Sequence, residues 1–190
     1  LLKTRWKIGK LRLSRPVLTF AIAMVLMFGL SGGYIYYNTN VLNDYNSSED
    51  AEEWRGDYEK ELKKYLHLNQ PKIVDVNVEL DLYPERRDFN ANGYYIISNK
   101  SEEPIREVHI QGAMVPDLEL TSLEFEGGAK IAKAYEKFEH TVYELNHPLL
   151  PGDSIKLSWG MKFETNGFVE SGSNTNVVDN GTFINNRMFP

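Results

Sequence analysis

The chain contains no cysteine. Disulfides and thiolate metal sites are therefore excluded, and the redox compartment stays open. No acid occurs in residues 1–15, and no charge of either sign lies between Pro16 and Tyr37. The helical zinc-peptidase pattern His-Glu-x-x-His is missing, as are a Gly-x-Ser-x-Gly elbow and a glycine-rich phosphate loop. The four histidines, His67, His109, His140 and His147, are scattered. Only His140 and His147 are near each other, and His140 lies with Glu144 on an expected strand rather than a helix, so all four read as surface or satisfied core residues rather than metal ligands.

What is present is uneven. Lys3, Arg5, Lys7, Lys10, Arg12 and Arg15 give residues 1–15 a charge of +6; the net charge of the chain is −6, so the remainder carries −12. An acidic body argues against nucleic acid as a partner, because phosphate binding needs a basic face. A hydrophobic content of 42% is enough to expect a packed core. The first residue is Leu1 rather than Met, which reads as a piece of a longer chain.

Residues 16–37 form an apolar run. As a helix they would span roughly 33 Å, enough for a hydrocarbon layer of about 30 Å. Tyr34, Tyr36 and Tyr37 stand at one end, as in an aromatic belt, and the six basic residues flank the other. The positive-inside rule then makes 1–15 a basic cytoplasmic flank and puts 38–190 outside an inner or plasma membrane, with lipid as a partner of the helix. The competing reading is a cleaved signal peptide, with Gly29-Leu30-Ser31 as a weak site. Gly29 and Gly33 make a GxxxG spacing that would allow close helix packing.

Residues 38–70 read as a linker: a polar loop over 38–49, then a helix from Asp50 to Leu68. Trp54, Tyr58, Leu62 and Tyr65 or Leu66 repeat at helical spacing, Ser47 or Ser48 supplies a cap, and Glu59 and Lys63 are set for an ion pair. The Trp54–Tyr58 stripe favours docking on the next domain over a solvated spacer. From Lys72 the period becomes two. Val74, Val76, Val78, Leu80 and Leu82 predict a half-buried strand. Phe89 to Ile97 and Ile105 to Gln111 continue what reads as an antiparallel meander. Further strands are expected at Leu118–Glu126, Ile131–Glu139 and Thr141–Leu145, with "HPLLPGDS" as a turn. Ile155, Leu157, Trp159, Met161 and Phe163 give the cleanest alternation, with Trp159 deep in the core. Residues 165–182 read as a long polar loop. The fold class is mainly β: an antiparallel β-sandwich or curved sheet of about seven strands over 71–190, preceded by one transmembrane helix and a short linker helix. Asn46, Asn99 and Asn180 each begin a glycosylation sequon.

The stretch "QPKIVDVNVELDLYPERRDFNANGYYIISNKSEEPIREVHI" resembles the opening of the N-terminal β domain of the zinc-dependent membrane alanyl aminopeptidases. "LLPGDSIKLSWGMKF" is similar to a later turn and strand of that domain. "NGTFINNRMFP" resembles the segment leading into its Arg-x-x-Pro turn, here Arg187 and Pro190. Residues 1–70 are similar to the junction found where such a domain is fused behind the last helix of an ABC-transporter permease. The resemblance implies a non-catalytic fragment whose β domain helps shape a peptide cleft and is cut short after Pro190. It implies no cofactor here, zinc being expected only in a missing downstream catalytic domain, which would itself be a partner along with a peptide substrate. It places Asn180 and Thr182 near positions that hold the substrate's amino end, though both are shorter than the amide or acid side chains of the family. Gly112 to Met114 match the start of the Gly-Ala-Met-Glu-Asn motif, but Val115 and Pro116 follow, so the match reads as coincidence. The rival reading is a single-pass anchor carrying an extracytoplasmic β-sandwich that binds a partner protein.

Overall fold

The computed structural model describes every residue except 1, 12–13, 113–114, 116 and 171–174. Ala113 and Met114 of the Gly-Ala-Met run, and the middle of the 165–182 stretch, thus lie outside the described residues. The chain divides into two compact units, Leu1–Tyr45 with Gly167–Gly172, and Asn46–Asn166 with Ser173–Pro190.

In the first unit, α1 (Leu2–Leu11) precedes α2 (Arg15–Tyr37). Pro16 sits in the first turn of α2, where its missing N–H removes a donor that would have no partner. No side chain of α2 is buried. The helix runs on as a π-helical segment, Asn38–Leu42, so that the 28 residues Arg15–Leu42 are long and apolar enough to cross a membrane. This corrects the loop expected from residue 38. Polar side chains hold the widened turn: Asn43 Nδ2 donates to Asn38 O at 2.9 Å, and Thr39 Oγ1 to Ile35 O at 3.0 Å. Gly167 has φ +59°, and a Cβ there would collide with Asn38 Oδ1, so this close approach requires glycine. Phe168 beside it packs its ring 5.7 Å from Tyr34.

The second unit opens with α3 (Ser48–Leu62) and a 3₁₀ turn, Lys63–Tyr65. Ser47 and Asp50 cap each other reciprocally. Among the described residues Glu59 and Lys63 form no ion pair; Asp57 does instead, with Lys60 at 3.2 Å and Lys137 at 2.7 Å. Lys137 lies on the body of the unit, so the charge fixes the helix where it docks.

Seven strands follow in two antiparallel sheets. One has the order β1 (Lys72–Tyr83), β2 (Asp88–Ser98), β7 (Ser154–Phe163), β4 (Leu118–Phe125). The other has the order β3 (Ile105–Gln111), β6 (His140–Leu149), β5 (Ala129–Tyr135). The mainly β class is as expected, but the meander is not. β1 and β2 form a hairpin, as do β5 and β6, but β2 then pairs with β7, and β3 crosses to the second sheet. The reason lies in β7. Its Leu157, Trp159, Met161 and Phe163 face a core shared with Phe89, Ala91, Tyr95 and Ile97 of β2, and so strongly apolar a strand takes the centre of its sheet.

β6 reaches Leu149, so His147 and Pro148 are strand rather than turn, with Pro148 inside the register shift opposite β3. The polar stretch holds a small hairpin, β8 (Val177–Val178) and β9 (Gly181–Thr182), whose Val177 is fully buried. β1 is not half-buried. Val76, Leu80 and Leu82 lie opposite Tyr95, Ala91 and Phe89, and so point to the core side. They are nonetheless 55%, 41% and 41% exposed. A four-stranded sheet facing a three-stranded one leaves the inner side of its edge strand uncovered.

Candidate functional site

Among the described residues, two sizeable cavities border the β3 strand. The larger, of about 790 Å³, lies between the sheets on the β1/β3 side. Its walls are aliphatic residues of β1, β2, β3 and β7, and Arg187, Phe189 and Pro190 line it as well. Tyr95 is 6% exposed and lines this space. Burial pushes its phenol up to about 12.

The smaller cavity, about 500 Å³, lies where the linker helix meets β3 and β6. Trp54, Tyr58 and Tyr65 pack on Leu62, Tyr135, Phe138 and Val142, the docking that the aromatic stripe implied. The Trp54 indole N–H donates to Lys137 O at 2.8 Å. Gln70 clamps the end of the segment: its amide oxygen accepts from His109 N at 2.9 Å, and its amide nitrogen donates to Glu107 O at 3.2 Å.

Beneath Tyr65 the fold joins two histidines. His109 Nδ1 and His140 Nε2 are 3.0 Å apart. Sequence spacing gave no hint of this, because the two are 31 residues apart. They meet through the β3–β6 register, in which His109 faces Val142 and Gln111 faces His140, making the histidines diagonal neighbours. The proton positions follow from the network. Gln111 Nε2 donates to Phe138 O at 2.7 Å, which leaves Gln111 Oε1 to accept from His140 Nδ1 at 3.3 Å. His140 Nε2 is then an acceptor, His109 Nδ1 its donor, and His109 Nε2 a buried lone pair with no partner among the described residues.

Burial holds His109 below the usual imidazole range; burial, then the charge of His109, does the same to His140. Below pH of about 6.5 the unfolded chain takes up protons that the folded pair refuses, so stability falls as pH drops. The urea midpoint should decline between pH 7.5 and 5.5, and the decline should be shallower in a His109→Phe/His140→Gln variant. A slope unchanged by that double substitution would assign the effect to other groups.

The Tyr65 and Tyr135 hydroxyls lie 2.9 Å apart. Burial opposes ionisation of Tyr135, but hydrogen bonding from Lys64, Tyr65 and Lys133 outweighs it and brings the phenol down to about 8. Since the unfolded value is about 10, Tyr135 adds stability as pH rises above about 8. A phenolate absorbance step near pH 8 should appear at 295 nm and vanish in Tyr135→Phe.

Asn180 and Thr182 are both exposed, on the turn and second strand of the β8–β9 hairpin. Neither lines the two cavities described above. Arg187 begins no strand: it sits in a 3₁₀ turn, Asn186–Met188, with its N–H donating to Asn185 Oδ1 at 2.9 Å. Of the three sequons, Asn99 is completely buried, so its side chain is unavailable for a glycan in the folded protein.

No protein-family model matches the chain, and no curated protein matches it. Solved structures similar to part of it include a mutant two-domain M1 zinc metallopeptidase bound to L-tryptophan, at 11% identity, with 52% of this chain and 22% of that one covered and a TM-score of 0.40. An M1 zinc metallopeptidase from Deinococcus radiodurans is similar over the same shares, at 11% identity and a TM-score of 0.39. The match spans 22% of the length of those chains.

Proposed function

We propose that the chain is the last spanning helix, linker helix and first β domain of a membrane-fused aminopeptidase-like protein, a transporter permease joined to a zinc peptidase. Its β domain would then form one wall of the peptide cleft. The observation that carries this reading is the uncovered inner side of β1. Val76, Leu80 and Leu82 are patterned for burial yet exposed. Adjacent exposed apolar residues of this kind mark a surface meant to be covered. In this reading a downstream domain covers it and holds the zinc. Asn180 contributes a carbonyl oxygen, and Thr182 a hydroxyl, to the substrate's ammonium group.

The test uses the whole parent protein. It should contain zinc and release amino-terminal residues from peptides. Asn180→Ala and Thr182→Ala should raise KM for substrates with a free amino end; a parent without peptidase activity would end this reading. Orientation is checked separately. Protease added to intact spheroplasts should cut within 38–70, whereas protection there, with cleavage in inverted vesicles, would reverse the topology.

A second reading rests on the free edge of β1. Among the described residues, its twelve residues pair with β2 alone, leaving one row of backbone groups open. A single-pass anchor whose sandwich binds a partner protein by adding a strand there would use the same surface. Crosslinks from residues 76–82 to a separate polypeptide, rather than to the parent chain itself, would favour it.

A further inference from the structure

The cavity between the sheets contains polar groups that the packing leaves unused. The Tyr95 hydroxyl makes no hydrogen bond among the described residues, although its side chain is more than nine-tenths buried and lines the space. Its phenol is raised by burial alone, with no hydrogen bond contributing. Arg187 is exposed, lines the same cavity and has no carboxylate partner among the described ion pairs. A neutral phenol and a guanidinium are both donors. Two unpartnered donors at one cavity call for an acceptor, and the arginine calls for a negative one.

The remaining wall is mainly aliphatic, with Ile73, Ile97, Val108, Ile110, Val115 and Leu157; of its polar residues, Gln70 and Gln111 already spend their amides on hydrogen bonds within the protein, and His109 and Asn186 also line it. A peptide seated there would bring more amide groups than these few polar side chains can satisfy, each costly to desolvate. An unbranched hydrocarbon brings none. The volume of about 790 Å³ lies within the range of small-molecule sites. We propose that this cavity binds an amphiphile with an apolar chain and a single carboxylate head, of the fatty-acid class. The chain lies between the sheets, and the head is held at the rim by Arg187, with the Tyr95 hydroxyl as a second donor. The proposal is independent of whether the parent cleaves peptides.

The test is equilibrium dialysis of radiolabelled decanoate against nanodiscs carrying the full chain, with uptake by empty nanodiscs subtracted. Saturable binding of one decanoate per chain is expected. Arg187→Gln should weaken it about tenfold, the order expected for loss of one charge-assisted hydrogen bond. Tyr95→Phe keeps the ring and should weaken it by a smaller factor. Decyltrimethylammonium should not compete. Arg187 is exposed, so its variant tests the head without disturbing the core. Val115→Trp, which fills the space from a half-buried loop position, should abolish binding. Uptake no greater than in empty nanodiscs would overturn the proposal. So would wild-type affinity in both the Arg187 and Tyr95 variants, or equal competition by the cationic amphiphile.

Discussion

Trp159→Ala should destabilise the second unit by about 3 to 5 kcal/mol, the cost of truncating a large core aromatic. The indole is 2% exposed in the middle of β7. Its ring lies 5.4 Å from both Tyr95 and Phe189. Its floor is Gly93 of β2, directly opposite in the ladder, where an added Cβ would come within 2.8 Å of the indole. Glycine at that position therefore makes the room that tryptophan fills. One feature limits the loss: the buried indole N–H has no acceptor among the described residues, which costs the native state about 1 to 3 kcal/mol. Trp159→Phe removes that orphan donor while keeping an aromatic ring, so it should cost less than half as much as Trp159→Ala. Thermal melting followed by circular dichroism at 218 nm is the measurement. A melting temperature lowered by on the order of 10 °C in the alanine variant is expected for a chain of this size. A shift of a degree or two would remove tryptophan from the core.

Much of the second unit could be read in advance, because alternation reports which side of a strand faces inward. β7 and β2 follow their sequence patterns residue by residue, and both lie centrally with cover on the core side. β1 has an equally clean alternation and is exposed. Periodicity states the face, but cover depends on the width of the opposing sheet, which no local window contains. The aromatic stripe of α3 was legible for the same reason as β7: Trp54, Tyr58 and Leu62 share one helix face, and that face is the one that docks. The histidine pair was not legible. His109 and His140 lie on strands whose pairing required β3 to leave the first sheet, and nothing near either residue encodes that crossover. Asn180 shows a different limit. Its place in a two-residue turn follows from local chemistry, whereas contact with a substrate depends on what stands opposite the hairpin.

Asn99→Ala should cost about 2 to 5 kcal/mol, although a sequence reading treats Asn99 as a polar turn residue open to glycosylation. The residue is 0% exposed. Its amide nitrogen donates to Glu103 O at 2.7 Å and to Leu149 O at 2.8 Å. Its amide oxygen accepts from Ser101 N at 2.9 Å and Ser101 Oγ at 2.7 Å. Both donors and both lone pairs of the side chain are thus used. The backbone joins in, donating to Asp153 O at 3.0 Å and accepting from Gly152 N at 2.9 Å. One side chain therefore ties the β2–β3 crossover to the end of β6 and to the turn before β7, the three places where the sandwich closes at this end. Truncation leaves Leu149 O and Ser101 N without these partners, and each buried unsatisfied group costs about 1 to 3 kcal/mol. Asn99→Asp separates hydrogen bonding from packing. It keeps the shape, but an ionised carboxylate cannot donate to two carbonyl oxygens, so burial and those oxygens should raise its folded-state pKa. A raised value means that stability is present below the unfolded pKa of about 3.9 and is lost as pH rises through the folded value. The deficit of Asn99→Asp relative to wild type should therefore be large at pH 7 and shrink towards pH 4, whereas that of Asn99→Ala should stay flat. Unfolding of both variants and wild type in urea at the two pH values measures this. Parallel deficits in the two variants across that range would mean that the amide donors of Asn99 do not hold the crossover.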